Sequence, residues 1–507
     1  MYIVEVIILG KKVTSVFYVA LAVCMIFVIW GSIQPTQMEE ATAKTTSFFS
    51  EYFGWYYLIL VLLFLVFCIY LMFSKFGKIR LGKEGEKPEF STGAWFAMLF
   101  SAGMGIGLVF WTTAEPTQHA FLNAPVAEVG TPKAINDAMK FAFFHWGIHA
   151  WAVYAIVALV FAYFSFHRGY PNLVSSTLIP IFGEARMKGW LGQLVDILAV
   201  LATVFGVAAT LGFGTGQING GLNYLFDIPQ SFTIQLIILI VATALFIISA
   251  WSGIGKGIKV LSTSNMGLAF VLLLVLFIVG PSMYILNTFT NALGNYVADF
   301  FQMSLRIAPE DDEARKWIND WTIFYWAWWI SWAPFVGIFI ARVSRGRTIR
   351  QFMAGVLIVP ALVCFLFFAV FGTSAIHLEK NGLAKISEAT LETATFMMLE
   401  QYPLGFLLSL ITIVVIAIFF ITSADSATFV LGMLSGGGTN TPHAATKISW
   451  GIILSAIAAV IMFFGGTQGL QNLLIIAALP FSIVMILMSV SFYKSAKSEL
   501  FKKKNNI

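Results

Sequence analysis

The chain has 507 residues, of which 59% are hydrophobic and 11% charged, with 30 Lys and Arg against 25 Asp and Glu. A soluble globular chain carries about a quarter charged residues, so this composition, with a mean hydropathy of +0.85, excludes a water-facing shell. The excess of five positive charges reads as a membrane-topology signal and not as a nucleic-acid footprint.

A helix needs roughly 20 apolar residues to cross the hydrocarbon core. Lipid admits only helices or a closed barrel, because every backbone polar group must find a partner within the protein. Runs such as Tyr57–Phe73 and Ile234–Ile248 lack the alternation of a barrel strand, so helices are predicted. In chain order the spans fall near 15–33, 54–74, 92–114, 140–166, 190–216, 232–251, 261–287, 320–342, 352–372, 403–432, 445–464 and 470–492. No small-residue cleavage site follows the first run, near Val16–Trp30, so it reads as a span and not as a signal peptide.

Orientation follows from the basic residues. With the N-terminus inside, 22 of the 30 Lys and Arg are cytoplasmic, in segments at Lys11–Lys12, Lys75–Lys87, Arg168–Lys188, Lys256–Lys259, Arg342–Arg350, Lys447 and Lys494–Lys504. The acidic cluster Glu310–Glu313 falls outside, and an even number of spans puts both termini in the cytoplasm. The stretch Asn287–Ile307 has apolar residues at helical spacing between polar ones, and is expected to lie along the outer interface. Cys24, Cys68 and Cys364 sit in apolar runs and read as small buried hydrophobes.

Four patterns could carry chemistry. Gly103-Met-Gly-Ile-Gly107 in the third span and Thr422-Ser-Ala-Asp-Ser-Ala-Thr428 in the tenth admit either close packing through small residues or an unwound, ligand-coordinating segment. In the eighth span Trp326-Ala-Trp-Trp-Ile-Ser-Trp332 places Tyr325, Trp328, Trp329 and Trp332 on one face. Trp317, Trp321 and Trp326 fit an interfacial aromatic belt, whereas Trp332 lies near mid-span. In the fourth span Trp146, Trp151 and Tyr154 recur at i, i+5 and i+8. The two aromatic sets read either as core packing or as a box that holds a quaternary ammonium by cation–π attraction. His145 and His149, four apart, read as packing residues, since no acidic residue stands between them. Only Asp196 and Asp425 qualify as intramembrane charges. Asp425 is expected to pair with Arg342 or Arg345. Nothing resembles a nucleophile elbow, a phosphate loop or a nucleotide fold, so the energy source is an ion gradient and no enzyme is indicated.

At these residues the chain resembles the betaine/carnitine/choline transporter family over nearly its whole length. Trp326–Phe335 followed by Arg342-Val-Ser-Arg-Gly-Arg347 is that family's signature, and the sodium/glycine-betaine symporters are the closest pattern. The resemblance implies an all-α polytopic fold of twelve spans, with an inverted five-helix repeat behind two extra N-terminal helices. That divides the chain into 1–91, 92–287, 288–318 with the interfacial helix, 319–493, and a basic tail at 494–507. It implies alternating access, a homotrimer and a place in the cell membrane. Carried over by position, Trp146, Trp151, Tyr154 and Trp329 would form the trimethylammonium box. Trp328 and Trp332 would line the path, and Gly103, Gly105 and Gly107 would face the substrate. Sodium, the coupling ion, would be held by backbone carbonyls at Met104, Ser101 or Ala102, and Phe419, with the hydroxyls of Thr422 and Ser423. A second sodium site would use Thr203 and Phe335, but the family's other threonine position is Val207 here, which removes one oxygen ligand.

The implied function is sodium-coupled import of glycine betaine as an osmoprotectant, with no cofactor besides the ion. Choline-moving members carry an acidic residue at the position of Gly107, which favours the zwitterion here. The alternatives are a sodium-independent carnitine or betaine exchanger, a choline transporter, or, from another class, a membrane enzyme or channel. The tail Lys494–Ile507 reads either as a positive-inside stop or as a segment touching anionic lipid.

Overall fold

In a computed structural model that describes residues 13–103, 105–252 and 255–505, the apolar runs become helices. Among the described residues, eleven helical segments are long and apolar enough to cross a membrane. The principal helices are α1 (Ser15–Ile33), α2 (Pro35–Phe73), α3 (Thr92–Gly103), α4 (Ile106–Phe121), α5 (Pro132–Trp146), α6 (Ile148–Ala162), α7 (Trp190–Phe226) and α8 (Phe232–Ser252). They continue with α9 (Gly255–Val279), α10 (Ser282–Ala298), α11 (Phe324–Val343), α12 (Ile349–Lys380), α13 (Gly405–Ser435), α14 (Ala444–Phe464) and α15 (Gly466–Asn505). The predicted third span is the split pair α3 and α4, neither half of which reaches crossing length alone.

Burial sorts the helices into centre and rim. In the most apolar stretches of 132–167 and 312–343, 94% of residues are buried, against 17% in Phe232–Ser249 and 22% in Val260–Val279. A helix apolar all round is either central or lipid-facing; α6 and α11 are central and pack on each other, while α8 and α9 present apolar side chains outward. The expected interfacial stretch forms α10 and a short helix Phe300–Ser304, which lie against α5, α12 and α2.

Two expectations are corrected by this packing. The tenth span does not unwind at Thr422–Thr428: α13 is continuous, with Thr422 Oγ1 donating to the Ile418 carbonyl at 2.9 Å and Thr428 Oγ1 to that of Asp425 at 2.8 Å. Both hydroxyls bond within their own helix, so no backbone group is set free. Trp317, Trp321 and Trp326 do not form a lipid-facing belt; they are 2%, 6% and 1% exposed, covered by histidine and phenylalanine rings. The basic segment from Lys494 continues α15 to Asn505, and Glu499 accepts hydrogen bonds from Tyr163 and His167.

The segment between α2 and α3 pairs with the one between α11 and α12. Leu81 N–H donates to the Arg347 carbonyl and Gly346 N–H to that of Leu81, both at 2.8 Å. Gly346 has φ +82° and its Cα faces the Lys87 carbonyl, so a side chain there is excluded twice. Arg345 Nε donates to Glu86 at 2.7 Å. The Lys83 N–H, and then Arg345, hold the Glu86 carboxyl below its usual range. Trp95 locks the assembly: its Nε1 donates to Ser344 Oγ at 2.9 Å, the Arg347 guanidinium lies 3.9 Å from its ring, and its far edge presses on Gly355 of α12.

Gly355→Ala would put a methyl into the Trp95 ring. Overpacking of this kind costs about 1–3 kcal/mol. The thermal unfolding midpoint of the purified variant in detergent should fall below that of the unsubstituted chain, and an equal midpoint would show that the ring can move aside.

Candidate functional site

The helix breaks and the aromatic side chains meet at one place. Between α3 and α4 the backbone is extended at Gly105, with φ −134° and ψ −154°. A Cβ on Gly105 would lie 3.6 Å from Ser423 Oγ and 3.7 Å from the Trp332 ring. A Cβ on Gly107 would stand 2.6 Å from Trp328 Cη2 and 3.3 Å from Trp146 Cη2. Glycine at 107 is therefore required by the approach of two indoles, and the break touches α13 on one side and the aromatic cluster on the other. Met104 lies outside the described residues; Ser101, Ala102 and Gly103 form the last turn of α3.

A second break was not foreseen from the sequence. Gly147 is extended, with φ −86° and ψ −151°, and separates α5 from α6. In an unbroken helix, positions i and i+5 point about 140° apart, which would send Trp146 and Trp151 to different neighbours. The break turns α5 relative to α6, and a linked set of rings results. Trp146 meets Trp329 at 4.9 Å between centroids and 76° between planes. Tyr154 meets Trp329 at 5.9 Å and Trp151 at 5.6 Å, again nearly edge-on. On α11, Trp328 and Trp329 stack at 5.2 Å and 11°, and Trp332 meets Trp328 edge-on at 6.5 Å.

The rings are held through their N–H groups. Trp329 Nε1 donates to the His145 carbonyl at 3.0 Å, Trp332 Nε1 to the Gly206 carbonyl at 2.9 Å, and Trp146 Nε1 to Glu115 Oε2 at 3.0 Å. All six predicted box and pathway residues are 4% exposed or less. The Tyr154 hydroxyl and Trp328 Nε1 have no hydrogen-bond partner among the described residues. Two polar atoms therefore remain available in an otherwise apolar site.

The proposed ion ligands are only partly gathered. Thr422 Oγ1 also lies 3.3 Å from the Phe419 carbonyl, so these two share one turn of α13, and Ser423 faces the Gly105 break. In the second set, Thr203 Oγ1 donates to the Ala199 carbonyl at 2.8 Å, Phe335 meets Trp332 edge-on at 5.6 Å, and Val207 is buried. Asp425 does not pair with either arginine. Arg345 is taken by Glu86, Arg342 lies over the Phe429 ring, and the charge nearest in effect to Asp425 is Lys447. Asp196 accepts from both the N–H and the hydroxyl of Ser175, at 2.9 and 2.7 Å.

The sequence matches the BCCT description, betaine/carnitine/choline family transporter, over residues 15–501. It is 54% identical to a glycine betaine transporter, OpuD, of Bacillus subtilis over 96% of this chain and 95% of that one. The chain belongs to the betaine/carnitine/choline transporter family. It is 44% identical to an ectoine/hydroxyectoine transporter of Virgibacillus pantothenticus, over 94% and 95% of the two chains. With a probable glycine betaine transporter of Desulfitobacterium hafniense it shares 41% identity, over 96% and 98%. As a member of this family it is a multi-pass membrane transporter and not an enzyme.

This family member has one cavity beside the aromatic site and another at the C-terminal end of α11. One of about 300 Å³, lined by Phe213, Gln235, Glu392 and Thr467, ends on Phe213, whose ring meets Trp328 at 5.5 Å. The other, of about 450 Å³, is lined by Glu89, Phe161, Phe339, Arg342 and Arg345. One functional candidate escaped the sequence reading. Glu115 falls one residue beyond the predicted third span, yet it sits inside α4 with no exposure. Besides His119 on α4, its partners come from α5 and α11 and have no signal in the local sequence.

Gly147→Ala would meet the Phe143 carbonyl and would bring a methyl to 3.0 Å from the Phe365 ring. It should displace Trp146 and weaken ligand binding more than global stability. Binding calorimetry beside a thermal melt separates the two effects, and a variant with unchanged affinity would show that the break does not set the ring positions.

Proposed function

We propose that this chain imports glycine betaine together with sodium by alternating access across the cell membrane. The observation that carries the reading is the buried set of Trp146, Trp151, Tyr154 and Trp329, with the Trp146 and Trp329 rings fixed by their own N–H groups so that faces remain for a cation. A trimethylammonium group has no N–H to donate, so ring faces attract it where carbonyls would not. Its carboxylate needs donors, and Trp328 Nε1 and the Tyr154 hydroxyl are buried and free to donate. The curated relative at 54% identity is named a glycine betaine transporter. Ectoine, named for the relative at 44%, is the second candidate. Its cation carries N–H groups that seek acceptors, and Trp328 Nε1 can only donate.

The rest of the reading extends this site. The split third span would make a twelfth crossing, and the family's inverted repeat would relate 92–287 to 319–493. Both termini would be cytoplasmic, with three copies assembling in the membrane. Sodium would sit where the α3–α4 break faces Ser423, with carbonyls from Met104, from Ser101 or Ala102, and from Phe419 beside the hydroxyls of Thr422 and Ser423; the proximity of Gly105 to Ser423 supports this. Sodium prefers several oxygen ligands, and Val207 supplies none to the second site. The cavity beside Phe213 and the one at the C-terminal end of α11 fit a path opened alternately from each end.

Trp329→Leu keeps bulk but removes a ring face, and should weaken glycine betaine binding by about 2 kcal/mol, roughly thirtyfold in Kd. Trp329→Phe should be milder. Calorimetry that finds the leucine variant unimpaired would place the cation elsewhere.

Sodium dependence provides an independent check on the ion sites. Thr422→Ala with Ser423→Ala should abolish sodium-driven uptake into proteoliposomes, while Thr203→Ala should weaken it much less. Equal and complete loss in both would mean that the second site works despite Val207. Full uptake without any sodium gradient would instead favour an exchanger.

A further inference from the structure

The fully buried carboxylate of Glu115 lies directly behind the aromatic set. Four groups from three helices surround it. Oε1 accepts from His145 Nδ1 at 2.7 Å and lies 3.4 Å from His119 Nε2. Oε2 accepts from Trp146 Nε1 at 3.0 Å and from the Tyr325 hydroxyl at 2.5 Å. His145 Nε2 in turn reaches Thr322 Oγ1 at 2.9 Å, and the His145 carbonyl accepts Trp329 Nε1 at 3.0 Å. One carboxylate thus binds Trp146 directly and Trp329 through the residue that carries Trp329's acceptor.

Glu115, His119 and His145 could also be read as ligands of a metal. Two ligands of one tetrahedral zinc, each about 2.0–2.2 Å from it, stand about 3.3 Å apart. The 2.7 Å between Glu115 Oε1 and His145 Nδ1 is instead a hydrogen-bond distance. The other carboxylate oxygen is already filled by two donors. The arrangement fits an anion that orders its donors.

We propose that Glu115 is a positioning residue, which holds Trp146 and Trp329 at the spacing that a trimethylammonium ligand needs. The proposal rests on the function argued above. A charge in this environment is costly unless paired and hydrogen-bonded, and here the donors that satisfy it are the side chains of the site. The carboxylate does not compete for the ligand's cation at close range, because Trp146 and Tyr325 stand between. Glutamine keeps the shape but removes the charge and replaces one acceptor oxygen with a donor, so either a donor turns away or His145 must change tautomer, and with it the sense of its bond to Thr322.

The test uses the full chain in proteoliposomes with labelled glycine betaine. Glu115→Gln should raise KM about tenfold, the scale of a lost charge-assisted bond, with Vmax within about twofold. Tyr325→Phe, which removes one donor and keeps the carboxylate, should raise KM less. Trp146→Phe combined with Glu115→Gln should cost less than the sum of the two single effects, because both act on the Trp146 ring. A folded Glu115→Gln chain, shown by its thermal melt, with unchanged KM or with strictly additive effects overturns the proposal. If that variant does not fold, Tyr325→Phe carries the test, and an unchanged KM there overturns it. Should the unsubstituted chain take up no glycine betaine, the substrate reading fails. The positioning is then read from the indole N–H infrared band that Trp146→Phe deletes, which Glu115→Gln must shift; an unshifted band overturns the proposal.

Discussion

Hydrocarbon supplies no hydrogen-bond partners, and this constraint shapes the whole molecule. A helix in lipid cannot be interrupted without stranding N–H and C=O groups, at several kcal/mol each. Interruptions are tolerable only where protein surrounds them. Both breaks described here obey that rule: the one at Gly105 lies against Ser423 and Trp332, and the one at Gly147 against Phe143 and Phe365. The rim helices α8 and α9 turn long apolar stretches, Phe232–Ser249 and Val260–Val279, largely outward. The site is where it is because the centre of the bundle is the one region in which the backbone can depart from a helix.

The aromatic cluster follows from the breaks. A tryptophan buried in an apolar core must satisfy one N–H and can then offer both ring faces. Trp329, Trp332 and Trp146 each do so with a carbonyl or carboxylate on a different element. These bonds set orientation more than they add stability, since a net hydrogen bond contributes only about 1 kcal/mol. Trp328 differs, being packed against Gly107 and Phe213 with its Nε1 unpartnered among the described residues.

Polar pairing gives the two ends of the molecule different characters. Around Arg342–Arg350 the contacts are charged and partly exposed, as in Arg345 with Glu86, and such pairs are screened and worth little singly. Around Glu115 they are fully buried, where screening is weak and geometry is enforced. The first kind can separate and re-form at modest cost. The second suits a part of the site that keeps its shape while the path around it changes.

The sequence by itself determined the solvent class, the placement of the apolar runs and the one-faced stripe Tyr325, Trp328, Trp329. These depend on composition and on the period of a helix, both of which are local. The family was legible for the same reason, since Trp326–Phe335 is a contiguous string. Local pattern could not say that α13 stays intact at Thr422 while the fourth span breaks at Gly147, because both outcomes turn on which distant atoms meet the backbone. Nor could it place Trp317 and Trp321 indoors, or bring Glu115 under His145, Trp146 and Tyr325, residues 30, 31 and 210 positions away. Burial and partnership belong to the packed bundle; a carboxylate one residue past an apolar run looks like a loop residue until three helices close around it.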